Sequence, residues 1–574
     1  MARAPFPKTR HLSIEFAGDA SAAAQAAAAV GGEGDAVAAS FEDAQREALA
    51  LPAAQPAARP SKTGAPPGLP RALTVDLSLP AGDPERCADA AGKPVAVRCP
   101  SSLEGRQHAG QRAGEAAALG EAVLLEGLDR AWLLGPDGSG FCGSCGAALI
   151  ERLRDRYGEH VVEFDVLAQL RPGGAPLPIR ERPFGGLREV VRLDEAVEAA
   201  KRVILNARDQ GRRQRQLEVP VLGRVDALSA PALLLARHLD GLIFPLPSLD
   251  PNACLLPLLT ARAALGQRPA IALAPQGSTG QQVSLLASLS TACDVDLSLP
   301  PGASEEAHGA LASHRRYLSA MRERLRPAAP LADLALLVSA RADAWSAGLH
   351  LATTAVAAAA IARLHLQLDV ALDLPVAGRV PLVLAGCGAL DQETAAAARR
   401  HVTDGGDLLL IGRCAIADDE GRQLEKLFPE AKAGLNRIGE GRVWAVMPDD
   451  DPAPGAALEA QIARAARELL GRGRAALTLT GRGSLLVRGY LDPERKLDVH
   501  LVNLDLRDSG PVAAQGITLH LSGQVAGSGR SGYWFAPDRD KGTEGERIAL
   551  NPAGFGVSTV LPRMGGSALL TVPR

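Results

Sequence analysis

The chain has 574 residues, of which 47% are hydrophobic and 22% charged, and this length predicts roughly two to four domains, each with its own core. Its formal net charge of −3 provides no general attraction to nucleic acid or to an anionic membrane. Its apolar runs are shorter than the roughly 20 residues of a membrane helix, and the first residues lack the apolar core of a signal peptide. We therefore expect a cytoplasmic protein with neither a nucleic-acid nor a membrane partner.

Up to about residue 325, short apolar runs alternate with helical stretches, a pattern typical of parallel βαβ units. Eight such runs predict a (β/α) barrel, as α/β proteins of this length often form. The runs are Arg10–Gly18, Ala36–Ser40, Ala72–Leu79, Arg130–Pro136, Val219–Val225, Gly241–Pro247, Pro269–Pro275 and Cys293–Pro300. The helices between them are predicted at Ala147–Tyr157, Asp194–Asp209, Ala230–His238 and Gln281–Ser290. Because the early helices are short or missing, we expect a reduced TIM-like barrel over residues 1–327.

Two further units follow the barrel. The first, over residues 328–450, has the pattern of an open, doubly wound α/β domain. Its strands are predicted at Asp333–Ser339, Leu366–Leu372, Val380–Ala385 and Leu408–Gly412, and its helices at Ser346–Arg363 and Gln392–Val402. The second, over residues 451–574, begins with a helix at Ala456–Leu470 and continues with short β runs, which predict a β-sandwich. These runs are Ala476–Leu479, Ser484–Tyr490, Leu497–Leu504, Gly516–Leu521 and Phe555–Leu561.

Cys142 and Cys145 form a C-x-x-C pair with three interpretations. The pair is half of a zinc site that Cys87 and Cys99 complete, a redox pair, or a turn without metal. The surrounding pattern is not that of a thioredoxin-like unit, and the four cysteines lack the spacing of a zinc finger. We therefore expect a turn with no metal.

Gly386, Cys387 and Gly388 lie at a strand-to-helix turn in the second unit. A nucleophile elbow or a phosphate-binding loop has a similar pattern. The third glycine of a dinucleotide fingerprint is absent, because Asp391 and Gln392 follow. We interpret the motif as a tight turn, and we expect no cofactor.

Several segments resemble one known family. The sequence from Phe141 to Gly146, with Tyr157-Gly158 after it, resembles a motif of β-galactosidase-like glycoside hydrolases, in which a C-x-C-x-x-C segment opens the helix after barrel strand four. Ala332–His350 resembles the start of their trimerisation domain, and His500–Asn503 resembles a segment of their C-terminal β-domain. The resemblance implies a barrel, a flavodoxin-like trimerisation-type domain and a β-sandwich. It also implies a carbohydrate ligand and a homo-oligomer. In the trimeric form of that oligomer, residues 332–446 would form the contacts between subunits.

The resembled hydrolases place a glutamate acid/base after barrel strand four and a glutamate nucleophile at strand seven. Glycoside hydrolysis generally needs two such carboxyl groups across the scissile bond. The predicted strand four, Arg130–Pro136, is followed by Asp137 and not by a glutamate. Strand seven is followed by Gln276, whose amide cannot act as a carboxylate nucleophile. We predict Asp137 and Asp226 as catalytic acids, and Asp129 and Gln276 as substrate contacts.

The two predicted catalytic acids each have a structural alternative. Asp137-Gly138 is a typical turn dipeptide, and Asp226 can cap the helix that follows it. The other acids near predicted strand ends are Glu15, Asp76, Asp294 and Asp296.

Two hypotheses about function follow. The first is a glycoside hydrolase with a displaced acid, Asp137. The second is a non-catalytic pseudo-glycosidase that serves as a glycan-binding or oligomeric scaffold protein. The missing glutamates and an aromatic content of only 3% favour the second, since aromatic rings are common platforms for sugars.

Overall fold

The structure is a computed structural model, and the description below covers only part of the chain. The described residues are 14–16, 36–40, 71–77, 86–88, 94–129, 142–158, 185–321 and 329–573, except for 347, 373, 375–379, 416–425, 449, 451–452, 454, 472–474, 482–483, 493–495, 508–509, 528, 539–542 and 555. Within these ranges, none of the helices combines the length and the apolar character needed to cross a membrane.

Eight parallel strands form the first sheet in simple chain order, as in a TIM barrel. From strand one to strand eight they are Ile14–Phe16, Ala36–Ser40, Arg71–Asp76, Ala122–Glu126, Val221–Arg224, Gly241–Pro245, Ala270–Leu273 and Asp296–Ser298. A two-stranded hairpin, Arg86–Ala88 with Pro94–Arg98, follows strand three. The predicted barrel is therefore confirmed as a fold class.

The predicted position of strand four is wrong. Strand four is Ala122–Glu126, which pairs with Arg71–Asp76 on one side and with Val221–Arg224 on the other. Strand four is therefore not Arg130–Pro136, and residues 130–136 lie outside the described part of the chain. The helix before strand four, Leu103–Leu119, was also missed, because its buried face consists of Ala and Gly and carries no periodic pattern of large apolar residues.

Seven helices accompany this sheet in the described part of the chain, and all of them except Gly143–Tyr157 contribute to its apolar core. They are Leu103–Leu119, Gly143–Tyr157, Gly185–Arg215, Ala230–Ala236, Pro251–Leu265, Gly280–Ala292 and Glu305–Met321. Local caps fix several of their N-termini: the side chain of Ser102 accepts from the backbone of Gly105, and Thr279 forms a capping box with Gln282.

The second sheet is parallel except at one edge. In spatial order its strands are Leu368–Ala371, Leu334–Leu337, Leu382–Ala385, Asp407–Ile411, Gly441–Val446 and the antiparallel edge strand Gly434–Ile438. Its helices are Ala340–Trp345, Leu349–Ala362, Gln392–Thr403 and Ala456–Leu470. Leu349–Ala362 and Ala456–Leu470 share a continuous apolar core with the barrel helices, whereas Gln392–Thr403 covers the opposite face of the sheet.

The C-terminal residues form two antiparallel sheets around a common core. The larger sheet contains Ala329–Pro330, Leu485–Leu491, Lys496–Asn503, Ser567–Pro573, Ser531–Phe535 and Glu546–Ala549. The smaller sheet contains Leu477–Thr480, Thr518–Ser522, Gly556–Val560 and Asn551–Ala553. The remaining elements are the strand pair Leu506–Arg507 and Gly510–Pro511 and the short helix Gly523–Ala526.

Candidate functional site

A row of charged side chains crosses the C-terminal ends of barrel strands three, four and five. Asp76 is in register with Glu126, and Glu126 is in register with Arg224. The preceding residues Val75 and Leu125 belong to the core formed with the helices. Because successive side chains of a strand point to opposite faces, the charged row points to the barrel interior. This is the end at which TIM barrels carry their active sites.

Glu126 and Arg224 form an ion pair within this row. The Nη1 atom of Arg224 lies 2.5 Å from Oε1 of Glu126, and the two side chains are 29% and 28% exposed. Such a charge-assisted contact is stronger than a neutral hydrogen bond. Neither residue is among the predicted site residues. The predicted strand four, at residues 130–136, leaves Glu126 away from the strand ends, and its pairing with Arg224 depends on the strand register. The apolar run that ends in Glu126 is the signal that could have found it.

Asp129 and Asp226 are brought together after strands four and five. Both carboxylate oxygens of Asp129 accept the backbone N–H of Asp226, at 3.1 and 3.2 Å, and one of them also accepts the N–H of Ala227, at 3.2 Å. Burial raises the pKa of Asp129, and these backbone hydrogen bonds partly oppose that effect. Asp129 therefore holds the turn that carries Asp226, whose own side chain is exposed. The N-cap of the next helix is Ser229, so Asp226 does not cap it.

Gln276 lies beyond the C-terminal end of strand seven. Its side chain is exposed, and its Nε2 atom donates to the carbonyl oxygen of Pro301 at 3.4 Å. Its predicted role as a substrate contact stays a prediction. Asp137, the predicted acid, lies outside the described residues, so its role stays a prediction.

Two of the remaining acids, Asp294 and Asp296, do not join this row. Asp296 is the first residue of strand eight and therefore lies at the opposite end of that strand from the mouth of the barrel. Asp294 faces Arg262, with 3.6 Å between Oδ2 and Nη1. The side chain of Glu15 lies outside the described part of the structure.

Three cysteines form a second cluster near the start of the helix Gly143–Tyr157. Sγ of Cys99 lies 3.3 Å from Sγ of Cys142 and 3.5 Å from Sγ of Cys145, and all three sulfur atoms are within 4.8 Å of one another. Three converging thiols match three of the four ligands of a tetrahedral zinc site. The geometry therefore favours the zinc interpretation over the expected metal-free turn. The side chain of Cys87 is not described.

The Gly386-Cys387-Gly388 motif does not present an activated nucleophile. The Cys387 side chain is fully buried, and a hydrogen bond with Cys414 together with burial raises the pKa of its thiol well above the ordinary value. His350 lies 3.4 Å away and donates from Nδ1 to the carbonyl of Ala385, and burial lowers its pKa to about 4. A neutral thiol beside a neutral imidazole fits the predicted tight turn, in which Gly386 has a φ of +60°.

The fold and the position of the charged row define a (β/α) barrel protein with additional α/β and all-β units. Solved structures similar to this chain include glycoside hydrolases. They include a β-galactosidase from Bacillus circulans sp. alkalophilus (13% identity, 99% of both chains, TM-score 0.65). They also include a catalytic mutant of Gan42B, a GH42 β-galactosidase from G. stearothermophilus (12%, 99% of both chains, TM-score 0.64), and α-L-fucosidase isoenzyme 2 from Paenibacillus thiaminolyticus (12%, 98% of this chain and 99% of that chain, TM-score 0.61).

Neither the family models nor the curated proteins include a match to this chain. The structural likeness to the GH42 β-galactosidases extends over nearly the full chain, although the sequence identity is low. Structural matches at such low sequence identity establish the fold only, because one fold can carry many different activities.

Proposed function

We propose that this chain is a glycoside hydrolase-like protein that binds carbohydrate at the C-terminal mouth of its barrel. The observation that carries the proposal is the interior row of Asp76, Glu126 and Arg224 at the ends of neighbouring strands. Sugar hydroxyls both donate and accept hydrogen bonds. Adjacent carboxylate and guanidinium groups offer acceptors and donors to match them.

The same residues support binding without hydrolysis. A retaining glycosidase needs a carboxylate nucleophile about 5–5.5 Å from its acid, and strand seven supplies Gln276 instead. Glu126, at the end of strand four, is already paired with the guanidinium of Arg224 through Oε1. These features favour the glycan-binding pseudo-glycosidase.

A second candidate function is hydrolysis by displaced acids. Asp226 is exposed at the end of strand five, and the buried carboxylate of Asp129 fixes its backbone. With Asp137 as its partner, it would form an inverting pair if the two carboxyl groups were about 6.5–9.5 Å apart.

One screen separates the two functions. Purified protein is incubated with aryl glycosides and mixed polysaccharides, beside the variants Asp137→Asn and Asp226→Asn, while binding to the same polysaccharides is measured by affinity electrophoresis. Retarded migration without product supports the pseudo-glycosidase. Turnover that either variant abolishes supports the displaced-acid hydrolase, and a folded sample with neither binding nor turnover contradicts both.

The α/β unit after the barrel provides a further part of the proposal. It is a flavodoxin-like domain through which the cytoplasmic protein assembles as a homo-oligomer, a trimer by the resemblance. Its antiparallel edge strand Gly434–Ile438 exposes Leu435, which is 51% accessible in the single chain. Light scattering at micromolar concentration tests the assembly, and a monomeric mass contradicts it.

A further inference from the structure

The smaller sheet of the C-terminal unit has an outer face on the side of the sandwich away from the barrel. The larger sheet makes the contacts with the barrel helices: Oη of Tyr490 donates to the carbonyl of Ala292 at 2.7 Å, and the hydroxyl of Ser288 donates to that of Ser567 at 3.0 Å. The inner face of the smaller sheet carries apolar residues of the core between the two sheets, such as Leu519. Because successive side chains of a strand point to opposite faces, the alternate residues form the outer face.

This outer face carries uncharged polar groups. The strand registers align Thr478 with His520, and His520 with Ser558. Asn551 on the edge strand aligns with Ser558, so one polar group from each of the four strands lies in a single row. Neighbouring strands are about 4.8 Å apart, which makes this row about 14 Å long. The hydroxyl face, as we call this surface, consists of six exposed or half-buried residues: Thr478, Thr480, Thr518, His520, Asn551 and Ser558.

The four strands contain no Asp, Glu, Lys or Arg, although 22% of the whole chain is charged. Nucleic acids, anionic membranes and charged protein surfaces are bound largely through opposite charge, which these strands do not offer. A hydroxyl, a neutral imidazole and an amide instead each donate and accept hydrogen bonds, as the hydroxyl of a sugar does.

We propose that the hydroxyl face binds a neutral polysaccharide, as a second carbohydrate surface separate from the barrel mouth. The charge complementarity of the face carries this proposal: an uncharged row of donors and acceptors fits an uncharged chain of hydroxyl groups. The proposal does not depend on carbohydrate binding at the mouth.

The chemistry of the face determines how it binds. Water competes for each polar group, so a single hydrogen bond stabilises the complex only modestly. The four strands contain no Phe, Tyr or Trp on which a sugar ring could stack. Binding therefore requires several contacts along the row, which a polymer provides and a monosaccharide does not. Because no ion pair forms, salt should have little effect on the affinity.

Affinity electrophoresis of the full chain tests the proposal, in gels that contain lichenan, galactomannan or dextran, with polygalacturonate as an anionic control. We expect at least one neutral polysaccharide to retard the wild type. The double variant Thr478→Val, Thr480→Val should bind it at least about 5-fold more weakly, because two hydroxyls are lost while the β-branched shape that suits a strand is kept. Ser531→Ala, at a half-buried position of the larger sheet, is the matched control and should bind as the wild type does. Thermal melting checks that each variant is folded.

Glu126→Gln separates the hydroxyl face from the barrel mouth, and we expect this variant still to be retarded. Retardation that Glu126→Gln loses and the double valine variant keeps would assign the binding to the mouth and overturn the proposal. Three other results would also overturn it: no retardation in any neutral gel, stronger retardation by polygalacturonate, or an affinity that falls about 10-fold as salt rises from about 0.05 M to about 0.5 M. By light scattering, a wild-type oligomer that becomes a monomer in the double valine variant would show that a second copy of the chain covers the face instead.

Discussion

The guanidinium of Arg224 contacts the carboxylate of Glu126 across two neighbouring barrel strands, at residues 98 positions apart in the chain. Both side chains point to the barrel interior, and both remain more than a quarter exposed. Charged groups in this position contribute little to folding, because water still reaches them. Their position at the mouth of the barrel instead suits them to contact a polar ligand.

The first prediction compares this pair with a structural one. Arg224→Gln should lower the free energy of unfolding by no more than about 1 kcal/mol, as is usual for exposed pairs. Arg442→Gln should cost roughly 2–3 kcal/mol, because it leaves a mostly buried carboxylate without its charged partner. Arg442 binds both oxygens of Asp407, whose side chain is only 11% exposed.

Urea unfolding of the two variants measures this difference. Equal losses of stability would show that the Glu126–Arg224 pair is a structural element of the barrel, and would remove the reason to assign it to ligand binding.

The second prediction concerns strand seven. Gln276→Glu places a carboxylate where the resembled hydrolases have their nucleophile, whereas Gln276→Ala does not. With an aryl glycoside whose leaving group needs no protonation, we expect Gln276→Glu to exceed the wild-type release of the phenol by at least about 10-fold. Colorimetric rates under identical conditions give the comparison. Wild-type release of the phenol as fast as that of Gln276→Glu, with both faster than Gln276→Ala, would contradict the proposed lack of hydrolysis.

The third prediction is a pH dependence of stability. Burial raises the pKa of Asp343 to about 6, although its carboxylate accepts the backbone N–H of Leu351 at 2.9 Å. Because the folded state holds this proton more tightly than the unfolded state, the stabilisation is complete below about pH 4 and is lost as the pH rises through 6.

Asp343→Asn removes this titration and retains an oxygen that can accept from Leu351. Relative to wild type, the variant should therefore gain roughly 1–3 kcal/mol between pH 4 and pH 7. Chemical unfolding at the two pH values measures the gain, and a difference that does not vary with pH would contradict the assignment.

The fourth prediction tests how the barrel contacts the second sheet. The indole ring of Trp345 packs against Gly186 of the helix Gly185–Arg215, where an added Cβ would lie 2.1 Å from its Nε1 atom. Gly186→Ala should therefore destabilise the protein by roughly 1–3 kcal/mol. Gly309→Ala, in a helix position with open space around it, should instead stabilise it by about 0.5–1 kcal/mol. Thermal melting distinguishes the two, and equal shifts would contradict the packing of Trp345.

The barrel was predictable because alternating apolar runs and helices leave a clear local pattern. The error at strand four also has a local cause. The helix Leu103–Leu119 buries mainly Ala and Gly, and an added Cβ on Gly110 would lie 2.8 Å from Nδ2 of Asn206. Its small residues permit close packing against Gly185–Arg215 but give no periodic signal. When that helix is overlooked, the apolar runs Ala122–Glu126 and Arg130–Pro136 are both candidates for strand four.

The candidate sites depend on contacts that sequence spacing does not reveal. The position of Gln276 after strand seven could be predicted directly, because that strand is a clear apolar run. Glu126 and Arg224 meet only when the register of strands four and five is known. Cys99 reaches Cys145 across 46 positions of the chain, so the sequence could suggest this pairing only as one of several alternatives.

The central claim is that the barrel mouth binds carbohydrate without cleaving it. Calorimetric titration of the full chain with a panel of galactose-, fucose- and glucose-terminated oligosaccharides tests it most directly, with chromatography of each mixture afterwards. We predict saturable binding of at least one sugar, an affinity about 10-fold lower in Glu126→Gln, and intact oligosaccharide at the end. Cleaved product, or an unchanged affinity in a folded Glu126→Gln variant, would contradict the account.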